Sequence, residues 1–195
     1  MSSTFLNKFF KRHEKVAVFI DGANLYSAMK GLEKSINFRT LYEEFNENTD
    51  LLRIIYYTAL RPKEVTSPLR RITDWMHYNN FSLVTKETRE FVDNETGIRK
   101  IKANMDIEIA LDMIQLAPFV DHIVLFSGDG DFVRLVDTVQ RQGRKVSVIS
   151  TIETQPSLTA DILRRQADQF IELNEWNSIA YEKKGQSDES GGDEQ

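Results

Sequence analysis

Two apolar runs in this chain end in the same chemistry, and that pairing constrains the fold more than any other feature. Residues 16–20 (Val-Ala-Val-Phe-Ile) run into Asp21-Gly22-Ala23-Asn24, and residues 123–126 (Ile-Val-Leu-Phe) run into Ser127-Gly128-Asp129-Gly130-Asp131. Short unbroken apolar runs of this kind suit strands covered on both faces, as in parallel sheets. As parallel members of one sheet, the two would deliver Asp21, Asp129 and Asp131 to its carboxyl edge, where open α/β sheets place their binding sites. Gly128 and Gly130 are expected to supply the backbone freedom that lets Asp129 and Asp131 aim inward together.

The rest of the body alternates between the two periodicities. Strands are expected at 51–60, 121–127, 145–150 and 169–173, and extended segments at 81–90 and 91–102 joined around the turn cluster 93–97. Helices are expected at 23–31, 38–46, 68–79, 104–116, 131–142, 158–166 and 175–184, with Gly31 and Gly143 as stops and Pro68 as a start. Strands separated by helices imply an α/β three-layer sandwich with a mainly parallel central sheet. The division expected is an amphipathic segment at 1–15, one body at 16–184 and an acidic tail at 185–195, rich in Gly, Ser, Asp and Glu and expected to be disordered. In the first segment Phe5, Leu6, Phe9 and Phe10 share a helical face opposite Lys8, Lys11 and Arg12, which suits docking on the domain or on a partner subunit; a membrane-surface helix is the weaker reading.

A fourth acid follows from topology. The helix at 104–116 precedes the strand at 121–127, so it runs antiparallel to the strands and sets its N-terminus over their carboxyl edge. Asn104 is the expected N-cap and Asp106 stands in the first turn, whereas Asp112 lies roughly 9 Å farther along the axis. Any single aspartate at such a position is often a mere cap or turn residue. Four together are different, because two carboxylates ~4 Å apart repel by about 4 kcal/mol at an effective dielectric of 20. A hard divalent cation with oxygen ligands, Mg²⁺ or Mn²⁺, is the simplest compensation for Asp21, Asp106, Asp129 and Asp131. Such an ion activates water and polarises a phosphoryl oxygen. Asn24 and Ser127 either steady those acids by hydrogen bonds or simply cap the helices that follow.

Other chemistries fare worse. The chain has no cysteine, which excludes disulfides, zinc–thiolate sites and thiol nucleophiles. His13, His77 and His122 fall in unrelated segments with no ligand spacing, and no glycine loop ends in Gly-Lys-Ser/Thr. A haloacid-dehalogenase-type phosphatase wants a second acid two residues after the first, where this chain has Ala23. No apolar run approaches the ~20 residues of a membrane span, and Lys8, Lys11 and Arg12 interrupt any signal-like core, so a cytoplasmic protein is expected. The net charge is −5, and setting aside Asp188, Glu189, Asp193 and Glu194 of the tail leaves −1, so a nucleic-acid groove must be local.

At these residues the chain resembles the NYN domain family, in its LabA-like branch, with a PIN-like nuclease fold. The likeness is carried by Val18-Phe19-Ile20-Asp21-Gly22-Ala23-Asn24, by Asp106-Ile107-Glu108-Ile109-Ala110-Leu111-Asp112-Met113, and by Val124-Leu125-Phe126-Ser127-Gly128-Asp129-Gly130-Asp131-Phe132. Arg144-Lys145-Val146 and Ala167-Asp168-Gln169-Phe170-Ile171 add to it, over about residues 16–173. The resemblance implies a metal-dependent ribonuclease whose acids match Asp21, Asp106, Asp129 and Asp131. It departs after Lys102, where Ala103 replaces the family's usual glycine.

A phosphate backbone at such a site calls for nearby bases. Arg61 and Lys102 are the favoured contacts, ahead of Lys63, Arg89, Arg99, Lys100 and Arg134, each of which also reads as a solvated surface base. Tyr56, Tyr57 and Phe132 are expected in the core rather than stacked on bases. The leading expectation is hydrolysis of RNA phosphodiester bonds, single-stranded or structured, by an endonucleolytic cut. A non-catalytic RNA-binding or regulatory module on the same fold is the alternative, and a homo-oligomer is compatible with either.

Overall fold

A computed structural model of the chain describes residues 5–60, 68–87, 89–92, 99–102 and 104–182. A 3₁₀ turn at Phe5–Lys8 leads into β1 (Lys15–Asp21), α1 (Gly22–Gly31), β2 (Lys34–Ile36), α2 (Phe38–Asn48) and β3 (Asp50–Leu60). Then come α3 (Pro68–His77), β4 (Phe81–Glu87), β5 (Arg89–Val92), β6 (Arg99–Lys102) and α4 (Asp106–Leu116). β7 (His122–Phe126), α5 (Val133–Gln140), β8 (Lys145–Ser150), α6 (Asp161–Gln166), β9 (Gln169–Glu172) and β10 (Ala180–Glu182) complete the order.

The central sheet has six strands in the order β4-β3-β1-β7-β8-β9, and every pairing in it is parallel. β1 shows why this region of sequence is unbroken in its hydrophobicity. Val16, Val18 and Ile20 face a core shared with α1, α2 and α3, while Ala17 and Phe19 face a second core shared with α4, α5 and α6. Both sides of the strand are therefore dry, and the chain is the three-layer α/β sandwich that the alternation implied. Among the described residues no helix is long and apolar enough to cross a membrane.

The structure corrects the sequence reading in several places. The described part of the expected helix 175–184, residues 175–182, is not helical: a 3₁₀ turn at Leu173–Glu175 is followed by β10, which pairs antiparallel with β2, a strand the pattern did not reveal. The extended pair divides differently, since β4 joins the main sheet beside β3 and only β5 and β6 form an antiparallel pair. The helix expected from 158 begins at Asp161, because Thr and Ser side chains hold the preceding loop; Thr159 Oγ1 donates to the Thr151 carbonyl at 2.8 Å and the Leu158 N–H to Thr154 Oγ1 at 3.2 Å. The N-terminal amphipathic stretch makes a single 3₁₀ turn, with Leu6 and Phe10 buried in the first core. The acidic tail lies outside the described residues.

Candidate metal centre at the sheet edge

Strand register places the two acidic strand ends side by side. Ile20 pairs with Phe126, so Asp21 and Ser127 are the next residues out on adjacent parallel strands. Asp21 is only 9% exposed and caps α1: its Oδ1 accepts from the Ala23 and Asn24 N–H groups, both at 3.1 Å. Its Oδ2 accepts from Ser127 Oγ at 3.2 Å. The same hydroxyl oxygen accepts from the Asp129 N–H at 3.2 Å, and Asp129 Oδ1 accepts from the Asp131 N–H at 3.0 Å. Asn24 Oδ1 closes the lacing from the other side by accepting from the Gly128 N–H at 2.9 Å. Ser127 and Asn24 thus bridge between the two strand ends, and the cap of α1 is Asp21 rather than Asn24.

α4 brings in Asp106 as its antiparallel course requires. Its flanking residue is Met105, without a side-chain cap; Asn104 acts one residue early, its Oδ1 accepting from the Asp106 N–H at 2.8 Å and its amide donating to Asp106 Oδ2. Asp112 is taken elsewhere, accepting from the Tyr57 hydroxyl at 2.8 Å and tying α4 to β3. Tyr56, Tyr57 and Phe132 are all buried.

Asp106, Asp129 and Asp131 each present one carboxylate oxygen within 4.8 Å of the others. Asp21 stands outside that trio, yet it feels it. Burial pushes the Asp21 carboxyl above the ordinary aspartate range, and the Asp106 charge adds to the rise against hydrogen bonds from Asn24, Ser127 and Ala23. Asp106 is likewise raised, by burial first and then by the charges of Asp129, Asp131 and Glu108, with Asn104 opposing. Burial also lifts the Tyr56 hydroxyl to about 12, with Asp21 contributing. Burial is the first cause in all three, and the charge of a neighbouring acid adds to it.

The trio fits a hard cation in composition and spacing. Two oxygens on one ion sit no farther apart than twice the metal–oxygen distance, about 4.2 Å for Mg²⁺ and about 5 Å for larger ions. Oxygens within 4.8 Å of one another meet that bound after small side-chain rotations.

Two features here escaped sequence reading. Lys86, at the carboxyl end of β4, pairs with Glu108 at 2.7 Å, so a cation bridges from the sheet edge to the first turn of α4 beside Asp106. Reading β4 as a parallel strand would have put Lys86 at this edge. Gly128 is needed for closeness and not for unusual backbone angles: among the described glycines only Gly143 has positive φ. A Cβ on Gly128 would lie 2.2 Å from the Leu158 carbonyl oxygen and 2.8 Å from Ser150 Oγ, whereas one on Gly130 would meet Ala160 Cβ at 3.1 Å. Gly128→Ala should therefore lower unfolding free energy by about 1–3 kcal/mol in urea titration, because a backbone carbonyl cannot swing aside. Gly130→Ala should cost less.

Of the expected phosphate contacts, Arg61 and Lys63 lie outside the described residues. Lys102 ends β6, its side chain outside the described part, as are those of Arg89, Arg99 and Lys100. Arg134 pairs with Asp137 at 2.7 Å. His122 is buried with Nε2 against Ser147 Oγ at 2.8 Å, a structural position at the far edge of the sheet.

The span 15–174, which holds all four aspartates, matches the family model described as NYN domain. The low amplitude and bright protein LabA of Synechococcus elongatus is 32% identical over 171 residues, covering 86% of this chain and 88% of that protein. A crystal structure of a protein of unknown function from Vibrio parahaemolyticus shares the fold, with a TM-score of 0.68 at 24% identity over 86% of this chain and 96% of that one. With its aspartate-bearing edge inside the matched span, the chain belongs to the NYN domain family, in the LabA-like branch.

Proposed function

We propose that the chain is a divalent-metal-dependent ribonuclease, using Mg²⁺ or Mn²⁺ and cutting RNA internally. The convergence of Asp106, Asp129 and Asp131 at one sheet edge in an NYN domain carries this reading. Those three would hold the ion, with Asp21 behind them positioned by Ser127 and the α1 amides. A bound ion there supplies an activated water and charge stabilisation at phosphorus. The chain's part is orientation: Ser127 fixes Asp21 and Asp129 relative to each other, and Asn24 fixes the Gly128 turn that presents Asp129. Arg61 and Lys102 would take the phosphate backbone. Asp131 is exposed at the open edge, which suits a strand passing through rather than an end held in a closed tunnel.

The test is cleavage of end-labelled RNA and DNA oligonucleotides, linear and circular, with Mn²⁺, with Mg²⁺ and with EDTA. Metal-dependent cutting of circular RNA is the expected result. RNA binding without cutting under either ion would remove the enzymatic reading.

A further inference from the structure

α4 is apolar on two opposite sides. Its inward side, with Ile109 and Met113, is fully buried in the second core. Ile107, Leu111 and Ile114 recur at i, i+4 and i+7, within about 60° of one another around the axis and opposite that buried side. They are 70%, 54% and 40% exposed, and Phe119, in the 3₁₀ turn that continues the helix, is 64% exposed. Single exposed apolar residues need no explanation, but a contiguous stripe along one element does. A helix that is hydrophobic around its circumference is ordinarily covered all round.

We propose that this outward stripe is the seam of a two-fold homodimer in which α4 packs antiparallel against its own copy. Charge selects the occupant. The first turn of α4 carries Asp106 and Glu108 and its last turn no base, whereas just past its far end Arg144 Nη2 donates to the Pro118 carbonyl at 3.3 Å. Antiparallel pairing sets each acidic end beside Arg144 of the partner subunit; parallel pairing would set acid on acid. A nucleic acid is the poorer occupant, since α4 offers it carboxylates and no cation.

The stripe runs roughly 10 Å from Ile107 to Ile114, with the two-fold axis passing beside Leu111. Its three apolar side chains present on the order of 300 Å². Because Ile107 directly follows Asp106, each acidic trio borders the seam, and the partner subunit's Arg144 adds a second cation to the one that Lys86 already places on Glu108. The pairing does not rest on the ribonuclease reading.

Light scattering on the eluting full chain at tens of micromolar is expected to give the mass of two chains. Leu111→Asp, at an exposed position, is expected to give one chain while melting cooperatively near the wild-type temperature. The chain has no cysteine, so a short bis-maleimide should link Leu111→Cys into dimers and leave Tyr78→Cys, on an exposed residue of the opposite layer, unlinked. A one-chain mass for the wild type, a two-chain mass for Leu111→Asp, or equal linking at both cysteines overturns the proposal. So does a wild-type monomer whose RNA binding is lost in Leu111→Asp, which would assign the stripe to nucleic acid.

Discussion

Asp129→Asn is expected to lower RNA cleavage by at least about 100-fold while leaving the protein as stable as before, or slightly more so. The two halves of that expectation have separate causes. Asparagine keeps an oxygen where Asp129 Oδ1 accepts the Asp131 N–H at 3.0 Å, so the turn that follows β7 retains its cap. The substitution also removes one of the charges that raise the Asp106 carboxyl, so the metal-free protein is relieved of repulsion. What is lost is one of three anionic oxygens within 4.8 Å, and with it most of the attraction for a hard cation. Three readouts separate these effects: the cleavage rate at saturating Mn²⁺, the urea midpoint without metal, and the rise in melting temperature on adding Mn²⁺. The wild type should show all three, and the variant only an undiminished urea midpoint. Equal cleavage by the variant would show that the activity comes from elsewhere. A collapsed midpoint would show that Asp129 acts through folding. Asp129→Ala provides the contrast, since losing the capping oxygen should cost about 1 kcal/mol in addition.

The centre of the fold was legible because its physics is local. β1 and β7 are buried on both faces, so their sequences carry unbroken apolar runs, and Asp21 and Asp129 could be placed at one edge from chain direction alone. Asp106 was reachable by one further step, the antiparallel course of α4. Where the structure departed, contacts distant in sequence were in control. Residues 175–184 carry a helix-like pattern, but β10 pairs with β2 along the ladder Ala180↔Ile36, flanked by the Asn37 N–H donating to the Ile179 carbonyl at 2.8 Å, which no local pattern encodes. β4 has an exposed carboxyl half because it is the sheet's edge, so its alternation resembled a hairpin arm. Lys86 was missed for that reason. Gly128 was noticed, yet its cause lies in the Leu158 carbonyl thirty residues on.

Trp176→Ala is expected to lower unfolding free energy by about 4 kcal/mol or more, the largest stability loss of any single substitution considered, against a typical total of about 5–15. Trp176 is fully buried and ties together three segments of the first core. Its ring stacks on Phe5 at 5.4 Å and on Phe126 at 6.5 Å and meets Phe45 edge-on at 5.8 Å, linking the N-terminal turn, β7 and α2. Truncation leaves a cavity among those rings. It also strips a donor from Glu44, a buried carboxylate that accepts from the Trp176 indole N–H at 3.0 Å and from Ser178 Oγ. Leaving one side of that acid unpaired adds about 1–3 kcal/mol. Trp176→Phe separates the two contributions, because it keeps most of the ring volume and removes only the donor, so it should recover well over half of the loss. Trp176→Ala should also free the Phe5 turn, which limited trypsin digestion would report as early cutting at Lys8 or Lys11 in the variant and not in the wild type. If Trp176→Ala unfolded within about 1 kcal/mol of the wild type, residues 173–182 would be an appendage, and the first core would stand on the remaining helices and strands without them.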